Sequence, residues 1–226
     1  MSGDASGAYG PLLIDAYCCQ GGASKGYADA GFRVIGIDKD PQPRYPYEFI
    51  QGDVLDVLPR LLATLPVAAL GGSPPCQAYT LCQRIQGNEP PDLVAPTREM
   101  FQSSGLPWII ENVEGAPLID PVLLCGAMFP GLRVYRHRLF ESNLPLTVPA
   151  HPEHVAPLRK MGRAPRPGDW MHVVGNFSGV AQAREAMGGV DWMSRDGLRE
   201  SIPPAYTAHL GAQLMAAVVA RQAAAA

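Results

Sequence analysis

Compact apolar runs alternate with amphipathic segments over most of the chain. Six runs are short, continuous and bounded by polar, glycine or proline residues, which is the pattern of buried strands. They lie at residues 12–17, 33–38, 48–53, 67–71, 108–113 and 134–140. Four stretches have the spacing of helices, and they lie at residues 25–30, 54–64, 96–104 and 203–221. Strand, helix and strand in this order predict an α/β fold, a mostly parallel twisted sheet with helices on both faces.

The pattern changes between residues 142 and 197. Prolines, glycines and histidines are scattered there, and hydrophobic periodicity is weak. We therefore expect a small irregular recognition lobe, separate from the sheet. Its basic residues are clustered, and they are Arg159, Lys160, Arg163 and Arg166. This cluster is a candidate for contact with nucleic-acid phosphates, and a solvated flexible loop is the alternative interpretation.

Composition limits the classes of protein to consider. The chain has 226 residues, a net charge of −3 and five cysteines. Its overall charge does not indicate nucleic-acid binding, so such a partner would need a local basic patch. An odd number of cysteines is atypical of a disulfide framework, and no Cys/His cluster has zinc spacing along the chain, so no metal is predicted. With no signal peptide or membrane-length apolar run, we expect no membrane partner and a cytoplasmic location in bacteria or phage-infected bacteria.

The candidate reactive residues follow the fourth, fifth and sixth predicted strands. Cys76 comes after Pro74 and Pro75, which stiffen its loop, and it is either a nucleophile or an inert buried thiol. Glu111 ends the fifth strand, where burial would raise its pKa and let it hold a proton. Arg136 and Arg138 are two positions apart, so on a strand they would share a face and could grip a phosphate or a carbonyl. His137 would face the other way, and Cys82 and Cys125 are expected to be packing residues.

A glycine turn follows the first strand, in the segment DAYCCQGGASKG. Its paired glycines permit close approach of the backbone to a ligand, although a tight strand-to-helix turn would look the same. Asp38 and Asp53 end the next two predicted strands, where one could bind a ribose and the other an adenine amino group. Together these features favour an adenosine-containing ligand without phosphates, and S-adenosylmethionine fits better than a dinucleotide.

The order of these motifs resembles the cytosine-C5 DNA methyltransferase family. The matching segments are DAYCCQGG, GIDKDP, GDV, GSPPCQ, ENV and RHRLF, which together span residues 12–141. The resemblance implies a Rossmann-like S-adenosylmethionine-dependent methyltransferase fold. It also implies a catalytic domain of residues 1–141 and 198–226, with residues 142–197 as a small target-recognition region.

The resemblance implies a role for each matching residue. Cys76 would attack C6 of a cytosine flipped out of double-stranded DNA, Glu111 would hold the N3/N4 edge of the base, and Arg136 and Arg138 would hold its carbonyl. Gln77 would join the basic residues in contacting nucleic acid. S-adenosylmethionine would be bound by Asp15, Tyr17, Gly21, Gly22, Asp38, Lys39, Asp53, Val54 and Pro74.

The chain departs from the family pattern in three places. Cys19 stands where a glycine is usual, and Glu200 and Ser201 replace a Gly-Asn pair in the last motif, which normally completes the cofactor pocket. The recognition region is also short, as in compact phage or actinobacterial orphan methylases. Three alternatives stay open: a tRNA cytosine-5 methyltransferase, a catalytically inactive nucleic-acid-binding homologue, and an enzyme that transfers a group other than methyl.

Overall fold

A computed structural model of the protein describes residues 10–76, 92–159 and 163–225. These residues form one seven-stranded sheet flanked by helices. The strands are β1 (Leu12–Ala16), β2 (Arg33–Asp38), β3 (Glu48–Gln51), β4 (Val67–Gly72), β5 (Trp108–Asn112), β6 (Val122–Leu124) and β7 (Arg138–Ser142). The helices are α1 (Gly22–Asp29), α2 (Val54–Thr64), α3 (Val94–Ser104), α4 (Val180–Ala186), α5 (Arg195–Glu200) and α6 (Pro204–Ala225).

The strand order across the sheet is β3-β2-β1-β4-β5-β7-β6. The first five strands in this order are parallel, and β7 is antiparallel to both β5 and β6. The chain changes direction across the sheet between β1 and β4, which creates a crevice at the carboxyl ends of these two strands. Open α/β sheets bind their ligands at such a point.

Helices cover both faces of the sheet, as the sequence predicts. On one face Tyr27 of α1 and Tyr206 and Leu210 of α6 belong to a buried hydrophobic cluster. On the other face Leu58 of α2 and Phe101 of α3 are fully buried with residues of β1, β2 and β5. Because the strands are buried on both faces, their sequences are continuous apolar runs and do not alternate between apolar and polar residues. The predicted α/β class is confirmed.

A third hydrophobic cluster lies outside the sheet. It joins Val134, just before β7, to buried residues of the segment that the sequence pattern predicts to be irregular. From that segment the cluster includes Phe177 before α4, Ala186 at the end of α4 and Met193 in the loop after it. The backbone amide of Arg133 also donates to Ala186 O at 2.9 Å. The boundaries of the recognition region at 142 and 197 stay a prediction.

Some predicted boundaries are wrong for physical reasons. The predicted strand 134–140 begins only at Arg138, because Arg136 has a φ of +34°, which is incompatible with a strand. The predicted strand 48–53 ends at Gln51, because Asp53 instead caps α2 by accepting from the amide of Leu55 at 2.8 Å. The short elements β6, α4 and α5 are not predicted. Within the described part of the chain, no helix is both long and apolar enough to cross a membrane.

Candidate active site

Cys76 lies in the loop that follows β4, at the crevice between β1 and β4. Two hydrogen bonds hold this loop against the sheet: the amide of Ser73 donates to Ala16 O at 3.1 Å, and the side-chain amide of Asn112 donates to Pro74 O at 2.9 Å. Asn112 is buried at the end of β5. The thiol is half-buried. Neighbouring strand ends therefore fix the backbone that carries Cys76.

Glu111 and Arg138 form an ion pair beside Cys76. Arg138 Nε lies 3.0 Å from Glu111 Oε1, and the two side chains are only 16% and 11% exposed. Glu111 is the fourth residue of β5, and Arg138 is the first residue of its antiparallel neighbour β7. Arg138 Nη1 also donates to His137 O at 2.7 Å. The pair is thus held on two paired strands, not on loops.

The charges of the site act on one another. Burial raises the pKa of Cys76 and so does the charge of Glu111, whereas Arg138 and Arg136 lower it. Burial also raises the pKa of Glu111, against the lowering effects of Arg138 and of a hydrogen bond from Ser73. When Glu111 is protonated, the two arginines are the remaining charges acting on the thiol, and both favour the thiolate.

Arg136 does not share a strand face with Arg138, although the sequence predicts that it does. It precedes β7, and its guanidinium donates to two backbone carbonyls, Val173 O at 2.8 Å and Arg199 O at 2.6 Å. Burial and the charge of Arg138 lower the pKa of Arg136 to about 9, so it remains cationic at neutral pH. Arg136 therefore links the segment before β7 to two later parts of the chain and acts on Cys76 through its charge.

A cleft that is open to solvent, with about 310 Å³ of empty space, lies next to Glu111. It lies between the loop after β1 and the segment before α6, and its walls combine aromatic, small and acidic side chains. Its lining residues are Tyr17, Cys18, Cys19, Gln20, Gly22, Ala23, Ser73, Glu111, Glu200, Ser201 and Ile202. The structure thus brings Tyr17 and Gly22, two of the predicted cofactor residues, to the same cleft as the proposed acid.

Asp38 holds the cleft loop through its backbone. Its carboxylate accepts from the amide of Cys19 at 2.9 Å and from the amide of Asp40 at 3.0 Å. Cys19 has a φ of +47°, the left-handed conformation that glycine adopts most easily, and its thiol donates to Glu200 Oε2 at 3.2 Å. Cys19, at the position where the sequence resemblance has a glycine, therefore takes a glycine-like conformation.

Asp15 lies beneath the cleft and does not line it. It is almost fully buried in β1 and accepts a hydrogen bond from the hydroxyl of Ser24, which also contacts the hydroxyl of Tyr45 at 2.8 Å. Burial raises the pKa of Asp15 to about 7. Its position suits fixing the start of α1 better than direct contact with a ligand.

The other predicted cofactor residues are spread around the cleft. Gly21 caps α1 with a φ of +84°, and a Cβ there would meet the ring of Tyr45 at 2.9 Å. Lys39 is exposed after β2. Asp53 is the exposed N-cap of α2, and Val54, the first residue of that helix, is buried in the core. Pro74 contributes the carbonyl that Asn112 binds.

The predicted nucleic-acid contacts are only partly described. Arg163 and Arg166 are exposed. Arg159 is half-buried, and its guanidinium donates to Ala164 O at 2.8 Å and lies 3.4 Å from Asp169 Oδ2. Gln77 and Lys160 lie outside the described residues. Arg159 therefore has a structural partner of its own, whereas Arg163 and Arg166 present their side chains to solvent.

Three solved structures share this architecture over nearly their whole length. One is a prophage-encoded E. coli protein assigned as a DNA modification methyltransferase, with 13% identity and a TM-score of 0.60 over 93% of this chain and 99% of the other. The Dnmt2 methyltransferase of S. pombe has 12% identity and a TM-score of 0.61 over 92% and 99%. The methyltransferase EhMeth of Entamoeba histolytica has 13% identity and a TM-score of 0.60 over 93% and 99%.

The chain has a methyltransferase fold. Two observations confirm the fold class predicted from the sequence. The antiparallel strand β7 lies between β5 and β6, and the chain matches these solved structures over nearly their whole length. No family model matches the sequence, and no curated protein matches it either. At 12–13% identity the likeness concerns the fold, so the chemistry rests on the residues of the site.

Several site residues could not be found from the sequence. Gln20 lines the cleft and also donates to the hydroxyl of Ser194 at 2.9 Å and accepts from its amide at 2.8 Å. The indole of Trp192 donates to Gln20 O at 2.7 Å. These bonds tie the loop of the methyltransferase fold to a segment more than 170 positions later, and no local pattern signals such a contact.

Proposed function

We propose that the chain is a DNA cytosine-5 methyltransferase in which Cys76 is the nucleophile. The observation that carries the proposal is the buried pair of Glu111 and Arg138 acting on the charge of a thiol held at the carboxyl end of β4. A binding module has no need for this combination. The alternative of an inactive homologue is therefore less well supported than an enzyme.

The chemistry requires an activated cytosine. C5 of cytosine is a weak nucleophile until another nucleophile adds to the adjacent C6 and breaks the C5–C6 double bond. We assign this addition to the thiolate of Cys76, with a new bond from Sγ to C6. Protonated Glu111 donates to N3 of the base, which draws electrons from C6 and assists the attack. The same protonation of Glu111 removes a charge that disfavours the thiolate.

Arg138 has two functions in this proposal. It neutralises Glu111 in the free protein, and its remaining donors can hold the O2 carbonyl of the base. The base must leave the duplex to reach Cys76, because neither C5 nor C6 is accessible to a thiol in a stacked helix. After methylation, the C5 proton passes to solvent water, its electron pair restores the C5–C6 double bond, and the Cys76 thiolate leaves C6 and frees the protein.

The described residues fit the proposed cofactor. Tyr17 offers an aromatic ring, and the carboxylate of Asp38 keeps acceptor capacity after its two backbone bonds, because a carboxylate can accept about four. S-adenosylmethionine, when bound, supplies an electrophilic methyl group. Glu200 and Ser201 form part of the cleft wall, as the resemblance implies for the last motif.

DNA is the proposed substrate for two reasons. The prophage-encoded protein, which matches this chain over 99% of its own length, is assigned as a DNA modification methyltransferase. The exposed Arg163 and Arg166 offer the local positive charge that an acidic chain needs to bind nucleic acid. Residues 142–197 are proposed to carry target recognition, together with Gln77.

Expression in a host without cytosine methylation tests the proposal. Genomic DNA is sequenced with detection of 5-methylcytosine, with Cys76→Ser as the matched control because it preserves volume and removes the thiolate. We expect methylation within one short sequence motif for the natural chain and none for the variant.

Two results would overturn parts of the proposal. Methylated tRNA with unmethylated genomic DNA would replace DNA by RNA as the substrate. Methylation that persists in Cys76→Ser would exclude Cys76 as the nucleophile.

A further inference from the structure

Four side chains whose atoms can bind a metal lie together next to His137, the residue between Arg136 and Arg138. They are Cys125, His137, His151 and His154, and their ligating atoms all lie within 4.8 Å of one another. Cys125 follows β6, His137 directly precedes β7, and both other histidines lie in the chain after β7. Three separate segments therefore contribute to the cluster: one residue comes from each of the first two segments and two come from the third.

Two distances between the ligating atoms are close to those found in a metal centre. Cys125 Sγ lies 3.2 Å from His154 Nε2, and His137 Nε2 lies 3.2 Å from His151 Nε2. In a tetrahedral zinc site with ordinary bond lengths, a sulfur and a nitrogen would be roughly 3.6 Å apart and two nitrogens roughly 3.4 Å apart. Small side-chain rotations would place the four atoms around one ion.

The surroundings of the cluster orient the ligands. His137 Nδ1 lies 3.4 Å from Glu114 Oε2, which leaves Nε2 directed at the cluster, as in the carboxylate–histidine pairs that support metal ligands. The ring of Tyr135 stacks on His154 with centroids 3.6 Å apart, and its hydroxyl donates to Ala156 O at 2.6 Å. Trp170 stacks on the other side of Tyr135, since their centroids are 4.5 Å apart.

The three imidazole rings of the cluster lie close together. The ring centroids of His137, His151 and His154 are 5.0–5.2 Å apart. Neutral imidazole is the form that binds metal. Cys125 is fully buried, and a cation would offset the cost of its thiolate there.

We propose that Cys125, His137, His151 and His154 together bind one zinc ion. Imidazole and thiolate ligands in a four-coordinate arrangement suit zinc, whereas calcium and magnesium require oxygen ligands. Four protein ligands leave no open position, so the ion is structural and not catalytic. It joins the end of β6 and the start of β7 to the chain that enters the recognition region.

The position of His137 connects this ion to the catalytic site. His137 stands between Arg136 and Arg138, and its carbonyl accepts from Arg138 Nη1. A ligand bond to His137 would therefore fix the backbone that presents both arginines to Cys76. The metal site itself does not depend on the proposed methyl transfer and is testable without it.

Metal content measures the proposal directly. The chain is purified without a histidine tag and dialysed against metal-free buffer, and bound zinc is measured by mass spectrometry. We expect one equivalent per chain. His151→Ala changes an exposed loop residue and should reduce the content to below about 0.2 equivalents without unfolding the protein. His172→Ala, a histidine outside the cluster, is the matched control and should retain one equivalent.

Cobalt substitution identifies the ligand set. A tetrahedral cobalt centre with a cysteine ligand gives intense visible bands and a thiolate charge-transfer band, and we expect Cys125→Ser to abolish the latter. Zinc that is substoichiometric, or that is unchanged in both His151→Ala and Cys125→Ser, would overturn the proposal.

Discussion

Arg138 and Glu111 belong to antiparallel neighbours in the sheet, and Arg138 Nε lies 3.0 Å from Glu111 Oε1 with both side chains largely buried. The two residues are 27 positions apart in the sequence, which shows only that both are polar residues at predicted strands. The pairing of β5 with β7 brings them together beside Cys76. Their relationship is electrostatic as well as geometric, because Arg138 lowers the pKa of Glu111 while burial raises it, and the charges of both residues act on the pKa of the Cys76 thiol.

Arg138→Gln should destabilise the protein strongly. Removing one partner leaves Glu111 buried without its counter-charge, which typically costs about 3–5 kcal/mol of unfolding free energy. Urea denaturation measures this change. Adding Glu111→Gln should recover a large part of the loss.

The exposed pair of Arg33 and Glu48 is the matched control. Its two side chains are 45% and 52% exposed at an N–O distance of 2.6 Å. Arg33→Gln should therefore cost less than about 1 kcal/mol. Equal losses for Arg33→Gln and Arg138→Gln would contradict the buried ion pair.

Asp15 should make stability depend on pH. Its pKa rises from 3.8 to about 7 on burial in the folded protein, so the folded state binds more protons than the unfolded state between these values. Stability from this group is present at low pH and is lost as pH rises towards 7. Between pH 5 and 8 the loss is roughly 2–3 kcal/mol.

Asp15→Asn should remove that dependence, since an amide cannot ionise and can still accept from Ser24. Unfolding free energies at pH 5, 6, 7 and 8 measure it. Asp29→Asn, which changes an exposed carboxylate, should leave the natural pH dependence in place. A pH profile of Asp15→Asn that parallels the natural chain would show that Asp15 is not the responsible group.

Cys19 should tolerate glycine and reject a β-branched residue. Its φ of +47° is left-handed, and β-branched side chains rarely adopt that conformation. Cys19→Val should be about 1–2 kcal/mol less stable than Cys19→Ala, and Cys19→Gly should remain within about 1 kcal/mol of the natural chain. Thermal unfolding of the three variants compares them. Equal stabilities of the valine and alanine variants would exclude the left-handed backbone.

The exposed arginines should govern the salt dependence of DNA binding. If Arg163 and Arg166 each contact a phosphate, Arg163→Gln and Arg166→Gln should each lower the slope of log K against log salt by about 0.9. Titrations of a DNA duplex at several salt concentrations measure the slope. Lys160 belongs to the same predicted set.

Two comparisons make this measurement specific. Arg60→Gln changes an exposed arginine of α2 and should leave the slope unaltered. Arg159→Gln should weaken folding of its loop more than it changes the slope, because its guanidinium already binds Ala164 O and Asp169. A slope that is unchanged in both Arg163→Gln and Arg166→Gln would remove this surface from the proposed interface.

The regular part of the fold was predictable because strands buried on both faces leave an unmistakable apolar signal. The core of β1 is wholly buried, and α2 spans the predicted residues 54–64 despite Pro59. The short elements were not predicted because they carry no such signal. β6 has three residues, too few for a periodic pattern, and α4 and α5 are held by contacts within the third hydrophobic cluster.

The candidate site was predictable where residues stand at strand ends. Cys76 and Glu111 were placed in this way, since parallel strands meet at one edge of a sheet. Arg136 was misplaced because its left-handed φ interrupts the strand that the pattern predicts. The Cys125 and histidine cluster was missed because its members are spread over 30 positions, and only the close spacing of His151 and His154 gives a local signal.

Trapping with a fluorinated substrate tests the nucleophile most directly. A DNA duplex carrying 5-fluorocytosine at the target position is incubated with the chain and S-adenosylmethionine. Because fluorine cannot leave C5 as a proton does, the bond between Sγ and C6 should persist and give a complex that survives denaturation. Peptide mass spectrometry should then locate the modified nucleotide on Cys76, and Cys76→Ser should give no complex. A covalent complex through another residue, or methyl transfer to ordinary DNA with no complex on the fluorinated duplex, would contradict Cys76 as the nucleophile.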